Sequence, residues 1–511
     1  MSNREKSKAV LDEHVGSDAE KASGVPVVCD RRPKYYQPTT DEERTLDKKL
    51  NMKLDCIVIV ICAINFVLQG IDKTNIGNAA STDSFEHDAH LKKNDVSDSV
   101  SLLSATFVTL QPISTVLGRR IGPKYFIPLL MLSWGAVCMA HAGIHNSATL
   151  VALRLLLGAF EAGFVPTCFY YLGTLYPHYM LGFRLGLFAG MFSIAAAFSG
   201  LIAYGIFHIH SPLYKDWQLL FLVEGGVTLL MAIVTLFVLP DKLSTAWFLS
   251  PAERAHAVHR MQIDNPQVDK DGNHVEDNHK VTMQNLRDAI TDWRKLLIVC
   301  CNICSVLPVS VFSVFMPLIV KGMGYSGVKA NLMSVSPFVV GAFGVFAFMY
   351  LSDRFHERSL IVAVSMLLSL VGFGVLIGSN NAKLRYGFVH ICMAGAGTGG
   401  PVVVAWLTDN TPDKGTRSLI IGINGYSNIA GVIAGQLFKK KYGPAYKRPL
   451  SITMILISLG CCGYLIMRTV LMYENRRRAK VIAHWTDEQY EEERRTTKRR
   501  GDHKLTFVYG Y

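Results

Sequence analysis

The stretch from Arg154 to Pro166 reads RLLLGAFEAGFVP and lies inside an apolar run from about Ala148 to Tyr176. A run of that length can cross a bilayer as one helix. A charged side chain near the bilayer centre costs at least about 2.5–3.5 kcal/mol, so the arginine and the glutamate here must face protein or substrate rather than lipid. Arg154 and Glu161 are seven residues apart, which puts them on one helical face about 10 Å apart along the axis. Gly158 and Gly163, with Ala159 and Ala162, leave that stripe narrow enough for a neighbouring helix to pack closely. The functional reading is a cation and a carboxylate aimed into a bundle; the alternative is an ion pair that only fixes packing.

Half of the 511 residues are hydrophobic, and several apolar segments are long enough to span a membrane. The net charge of +12 resides mainly in tails and loops. That placement suits the cytoplasmic leaflet of a bilayer and argues against a nucleic-acid partner. Most of the 11 cysteines lie in apolar segments, so no disulfide framework is legible. Cys301 and Cys304 have CxxC spacing but no nearby histidine or carboxylate, and no metal site or cofactor is expected.

The pattern predicts an all-α polytopic membrane protein of twelve helices in two six-helix halves. Residues 1–53 read as a disordered cytoplasmic tail and 54–240 as the first bundle. Residues 241–293 read as a cytoplasmic linker, 294–472 as the second bundle and 473–511 as a cytoplasmic tail. Lys48, Lys49 and Lys53 should hold the start of the first span inside. That span should run from Leu54 to about Ser81, which places Asp72, Lys73 and Asn75 within the membrane; a shorter helix with an exposed DKTN end is the alternative. Ser250-Pro251-Ala252-Glu253 in the linker is a capping box that should start a surface helix. One loop conflicts with this topology, because Lys439, Lys440, Lys441, Lys447 and Arg448 fall outside.

The fourth span, RLLLGAFEAGFVPTCFYYLGTLYP, resembles fungal transporters of the allantoate-permease type within the major facilitator superfamily. The resemblance extends to IDKTNIGNA in the first span, WQLLFLVEGG and VLPD in the sixth, LSPAER in the linker and AWLTDNTPDKGTR after the tenth. It implies a transporter fold with relatives that carry nicotinate, pantothenate, biotin and other organic acids. In the superfamily a G-x-x-x-D-R-x-G turn latches the ends of helices; here Arg119 replaces the aspartate of the first copy, while Asp353 and Arg354 remain in the second. The resemblance therefore implies a gating role for Asp353 and Arg354. The first span is also similar to the wider anion–cation symporters, in which an arginine stands where this chain has Lys73. That exchange replaces a planar fork by a point cation.

An anion entering a low-dielectric cavity needs cations in place, and Arg154 and Lys73 are the candidates. Asn75, Asn424, Tyr426 and Asn428 are candidate polar contacts to substrate, with helix packing as the other reading of the last three. Coupling to a proton gradient needs a buried carboxyl that exchanges its proton near ambient pH. Glu161 is the first candidate and Asp72 the second, with Asp72 expected to pair with Arg154. No mechanistic role is legible for Glu224, for which a structural pairing is preferred.

These features point to a proton-coupled importer of a small organic anion. It would work as a monomer in the plasma membrane of a fungal cell, with both termini cytoplasmic. A drug:proton antiporter of the same fold competes, although fixed cations in the site disfavour a cationic drug. A non-transporting nutrient sensor is the competitor from another class, and short tails weigh against it. No nucleophile–base pair, metal cluster or phosphate loop suggests an enzyme.

Overall fold

The computed structural model describes residues 38, 40–82, 84–209, 211–264, 283–355, 357–486, 488, 489, 493 and 501–511. The disorder expected for residues 1–37 and the linker stretch 265–282 lie outside the described residues. Among the described residues every regular element is helical. Among the described residues eleven spans are long and apolar enough to cross a membrane. In the first half they are Asp41–Ser81, Asp95–Ile121, Pro123–Gly143, Ser147–Leu175 and Asp216–Val238. In the second they are Trp293–Lys321, Gly327–Phe355, Ser359–Gly378, Ala382–Asp409, Gly415–Leu437 and Lys447–Ile482. The helix His178–Ile206, of 29 residues, fills the fifth place and completes twelve.

Local chemistry starts these helices where the sequence changes character. Asn146 caps the fourth span by accepting from the Thr149 amide at 2.8 Å, and Asp413 caps the eleventh from Thr416 at 2.8 Å. The first span does not stop at Gly70: it continues to Ser81 with Asp72, Lys73 and Asn75 in its interior. Its polar residues are tolerated because neighbours satisfy them. Thr74 and Asn78, for example, both bond the Ser199 hydroxyl of the fifth span, at 3.1 and 2.7 Å.

Among the described residues, besides the π-helical stretch Asp55–Ile59 of the first span, three spans are interrupted. The fourth divides into Ser147–Glu161 and Phe164–Leu175, and the tenth into Ala382–Ala396 and Gly399–Asp409. The eleventh loosens into a 3₁₀ turn over Gly425–Asn428. Breaks at corresponding places in two halves expose backbone polar groups at mid-depth, which is affordable only where protein or a cavity receives them. In the fourth span Gln69 receives one, donating to the Glu161 carbonyl at 3.1 Å.

The linker and the tails gather at one end of the bundle. Here the first helix starts at Asp41 rather than Leu54, with Thr40 and Glu43 forming a capping box. The reason is packing against the linker helix Pro251–Asp264. Lys53 pairs with Glu253 at 2.7 Å, Arg260 donates to Asn51 at 2.8 Å, and His256 lies 2.9 Å from Asp47. The Ser250–Glu253 capping box is present as expected. At the chain's other end, the last helix runs past Met472 to Ile482. Residues 501–511 fold back on this end: Lys295 pairs with Asp502 at 2.9 Å, and Trp406 donates to the Gly510 carbonyl at 2.8 Å.

At the far end the two halves close on each other. Across the seam the first span lies on the seventh, the second on the eleventh and the fifth on the eighth. The misfit basic loop finds its role here. Lys440 pairs with Glu86, and Lys439 with Asp98 at 3.6 Å, so its charges meet the acidic loop between the first two spans. Lys321 donates to the Ser81 carbonyl at 2.9 Å, and Asn331 to the Ser81 hydroxyl at 2.9 Å.

Candidate functional site

Beneath this closure, between the halves, lies a cavity of about 230 Å³. Its first-half wall includes Phe66, Gln69, Lys73, Ser104, Phe107, Gln111, Arg154 and Phe192. The second half adds Ser310, Ser313, Asn428 and valines of the seventh span. Lys73 and Arg154, on two different spans, therefore reach one space. The Lys73 ammonium stands 4.7 Å from the centre of the Phe107 ring.

Arg154 is fully buried and donates from Nη2 to Asn75 Oδ1 at 3.1 Å. Among the described residues its Nε is buried without a hydrogen-bond partner. An unmet donor on a buried guanidinium is costly. The expected pairing of Asp72 with Arg154 is not formed. Asp72 instead accepts from Thr228 at 2.8 Å, from the Trp134 indole at 3.1 Å and from the Cys138 thiol at 3.2 Å. Three donors from the third and sixth spans satisfy this carboxylate inside the first half, behind the cavity wall.

Glu161 ends the first segment of the broken fourth span. It is fully buried, neither carboxylate oxygen has a hydrogen-bond partner among the described residues, and Lys73, Asp72 and Arg154 are its charged neighbours.

Of the other candidate contacts, only Asn428 lines the cavity. Asn75 stands behind Arg154 and orients it. Asn424 is turned away and accepts from Asn302 of the seventh span at 2.9 Å. Tyr426, in the 3₁₀ turn, is 38 % exposed. The gating candidates Asp353 and Arg354 sit at the end of the eighth span. Asp353 pairs with Arg358, which in turn reaches Asp409 at 3.2 Å, while Arg354 is exposed.

Sequence reasoning missed Trp134, Cys138 and Thr228, because an apolar or neutral side chain in an apolar span carries no signal of what it will touch. It also missed the cavity aromatics Phe66, Phe107 and Phe192 for the same reason.

Residues 62–434 match the Major Facilitator Superfamily. The chain belongs to the major facilitator superfamily. It is 32% identical to the MFS-type transporter efuF of Hormonema carpetanum, over 86% of this chain and 88% of that protein. It is 29% identical to the high-affinity nicotinic acid transporter of Saccharomyces cerevisiae, over 81% of this chain and 77% of the other. Among solved structures it is similar to a bacterial homologue of the lysosomal transporter Spinster, inward-facing and occupied. The TM-score is 0.61 at 12% identity, over 84% of this chain and 98% of that one. A D-xylose–proton symporter gives 0.60 at 14% identity, over 80% and 96%. The superfamily chain is thus a membrane transporter, and its family performs transport rather than catalysis.

Proposed function

We propose that this transporter imports a small organic monoanion together with protons by alternating access, as a fungal permease of the allantoate-permease type. The observation that carries the reading is the convergence of Lys73 and Arg154 on one cavity, with Arg154 Nε unmet among the described residues and Glu161 beside Lys73. Two cations in a low-dielectric space favour a carboxylate over a cationic or neutral solute. The three phenylalanines of the wall favour a substrate with a flat apolar body, and the yeast relative named for nicotinic acid supports that class. Glu161 carries the proton, and Asp72, held by three donors, is the weaker candidate.

In this reading the linker end faces the cytoplasm of a fungal cell and the far end faces outward across the plasma membrane, in a monomer. The closed far end is then the outward gate in its shut state, latched by Lys440 with Glu86 and Lys439 with Asp98. Asp353, Arg354 and Arg358 belong to the cytoplasmic latch of the second half.

The test is uptake of labelled nicotinate, pantothenate, biotin, allantoate and ureidosuccinate into cells lacking their own carriers. Accumulation of one of them that collapses with a protonophore is the expected result. Uptake only of cationic drugs, or outward transport of them, would overturn the reading.

A further inference from the structure

The sixth span buries a carboxylate that the cavity does not touch. Glu224 is 3 % exposed, and among the described residues Asn75 is the one hydrogen-bond donor beside its oxygens, neither of which it holds in good geometry. Asn75 faces it but has its oxygen on Arg154, at 3.1 Å, and its amide on the Cys138 sulfur, at 3.4 Å. The titratable and charged groups around Glu224 come from each packed element. The first span brings Asp72, the third brings Cys138, and the fourth brings Arg154. His141, where the third span ends, stacks on Phe221 at 5.2 Å between ring centres, and Phe221 lies one turn from Glu224. Its Nε2 is also buried without a partner. The fifth span carries Arg184 and Tyr204 only towards its two ends.

Charge balance gives this arrangement its meaning. Asp72, Glu161 and Glu224 lie around two cations, Lys73 and Arg154, in the interior of the first half. A substrate anion in the cavity raises the acids to four against two, in surroundings where unpaired charge is expensive. Asp72 has three donors and can stay ionised. Glu161 has none among the described residues and Glu224 has only the Asn75 amide beside it, so these two take up the difference. The two faces of Arg154 are then in competition, since substrate approaches from the cavity and Glu224 approaches from behind, through Asn75.

We propose that Glu224 is a second proton-carrying residue, linked to the substrate through Arg154: a carboxylate bound at Arg154 from the cavity drives Glu224 to take a proton. Occupied Arg154 no longer neutralises Glu224, which binds one proton drawn from solution. Release of the substrate returns Arg154 to Glu224, and that proton leaves. No bond other than O–H is made or broken. The inference rests on the anion-import reading for its substrate, but the titration of Glu224 against Arg154 can be tested without any substrate.

The experiment is infrared difference spectroscopy of the purified full-length protein in lipid, following the protonated-carboxyl C=O band through a pH titration. Glu224→Gln should remove one titrating component that persists in Glu161→Gln. Arg154→Gln should move the Glu224 component to higher pH by about one unit or more, and Arg154→Lys, which keeps the charge, should restore it. Circular dichroism of each variant establishes that the helices are intact. A titration unchanged in Glu224→Gln, or a Glu224 component indifferent to Arg154→Gln, would overturn the proposal. Failure of every organic anion in the uptake screen would overturn the import reading and leave this titration as its own result.

Discussion

Arg154 Nη2 lies 3.1 Å from Asn75 Oδ1, and this bond ties the fourth span to the first beside the cavity. It holds the guanidinium in place while leaving Nε unspent. Asn75→Ala should therefore weaken apparent substrate affinity several-fold with a smaller effect on maximal rate, since it removes the orientation of the cation and not the cation. Arg154→Ala and Lys73→Ala should each abolish uptake, Lys73→Arg should retain it with altered affinity, and Arg154→Lys should do much worse because it loses the fork. Uptake at matched surface expression measures all four. Near-normal transport by both alanine variants would make the charges packing devices.

Proton coupling has a definite sign. If protons enter with the substrate, uptake should fall as the outer pH rises, because fewer carriers are loaded at the outer face. Glu161→Gln holds the site in its proton-loaded charge state, so exchange across the membrane should survive while accumulation against a gradient is lost. Accumulation that persists in this variant would move the role to Asp72 or Glu224.

At the far end, Lys440 meets Glu86 across the two halves. The pair is half-exposed on its lysine side, so its worth is about 0.2–1 kcal/mol at most. Glu86→Lys should bias the protein towards the state open at that end and slow uptake. Adding Lys440→Glu should restore it, and raising the salt concentration should shrink the difference. Independent effects of the two substitutions would remove the latch.

A Cβ at Gly77 would stand 1.9 Å from the Val314 carbonyl oxygen on the opposite half. Gly77→Val should block closure and abolish uptake while the protein reaches the membrane intact. Gly226, in the sixth span, has nothing within 4 Å of such an atom. Gly226→Ala should leave transport unchanged and serves as the control.

The number and order of the spans could be read from hydropathy, because a bilayer requires long apolar runs and the chain supplies them. The continuation of the first span through Asp72 and Lys73 was also legible, since nothing after Gly70 breaks a helix. The division of the fourth span after Glu161 was not: Ala162-Gly163 is as apolar as its flanks, and only the close approach of the second span and Gln69 makes the break stable. The partners of Asp72 were hidden because they lie on two other spans, 62 and 156 residues away in the chain. The charges of Arg154 and Glu161 announced a site, but nothing in sequence could say which face of Arg154 met the cavity.

Part of the seam at the far end is backbone against backbone. Gly77 lies on the Val314 carbonyl, and Gly327 on that of Ser81. Surfaces of this kind slide apart without unthreading interlocked side chains, so little has to be rebuilt on return. The resting free energies of the open and shut forms can then lie within a few kcal/mol of one another, where a small ligand's binding is enough to tip the balance. A bulkier, better-packed seam would make a more stable protein and a slower machine.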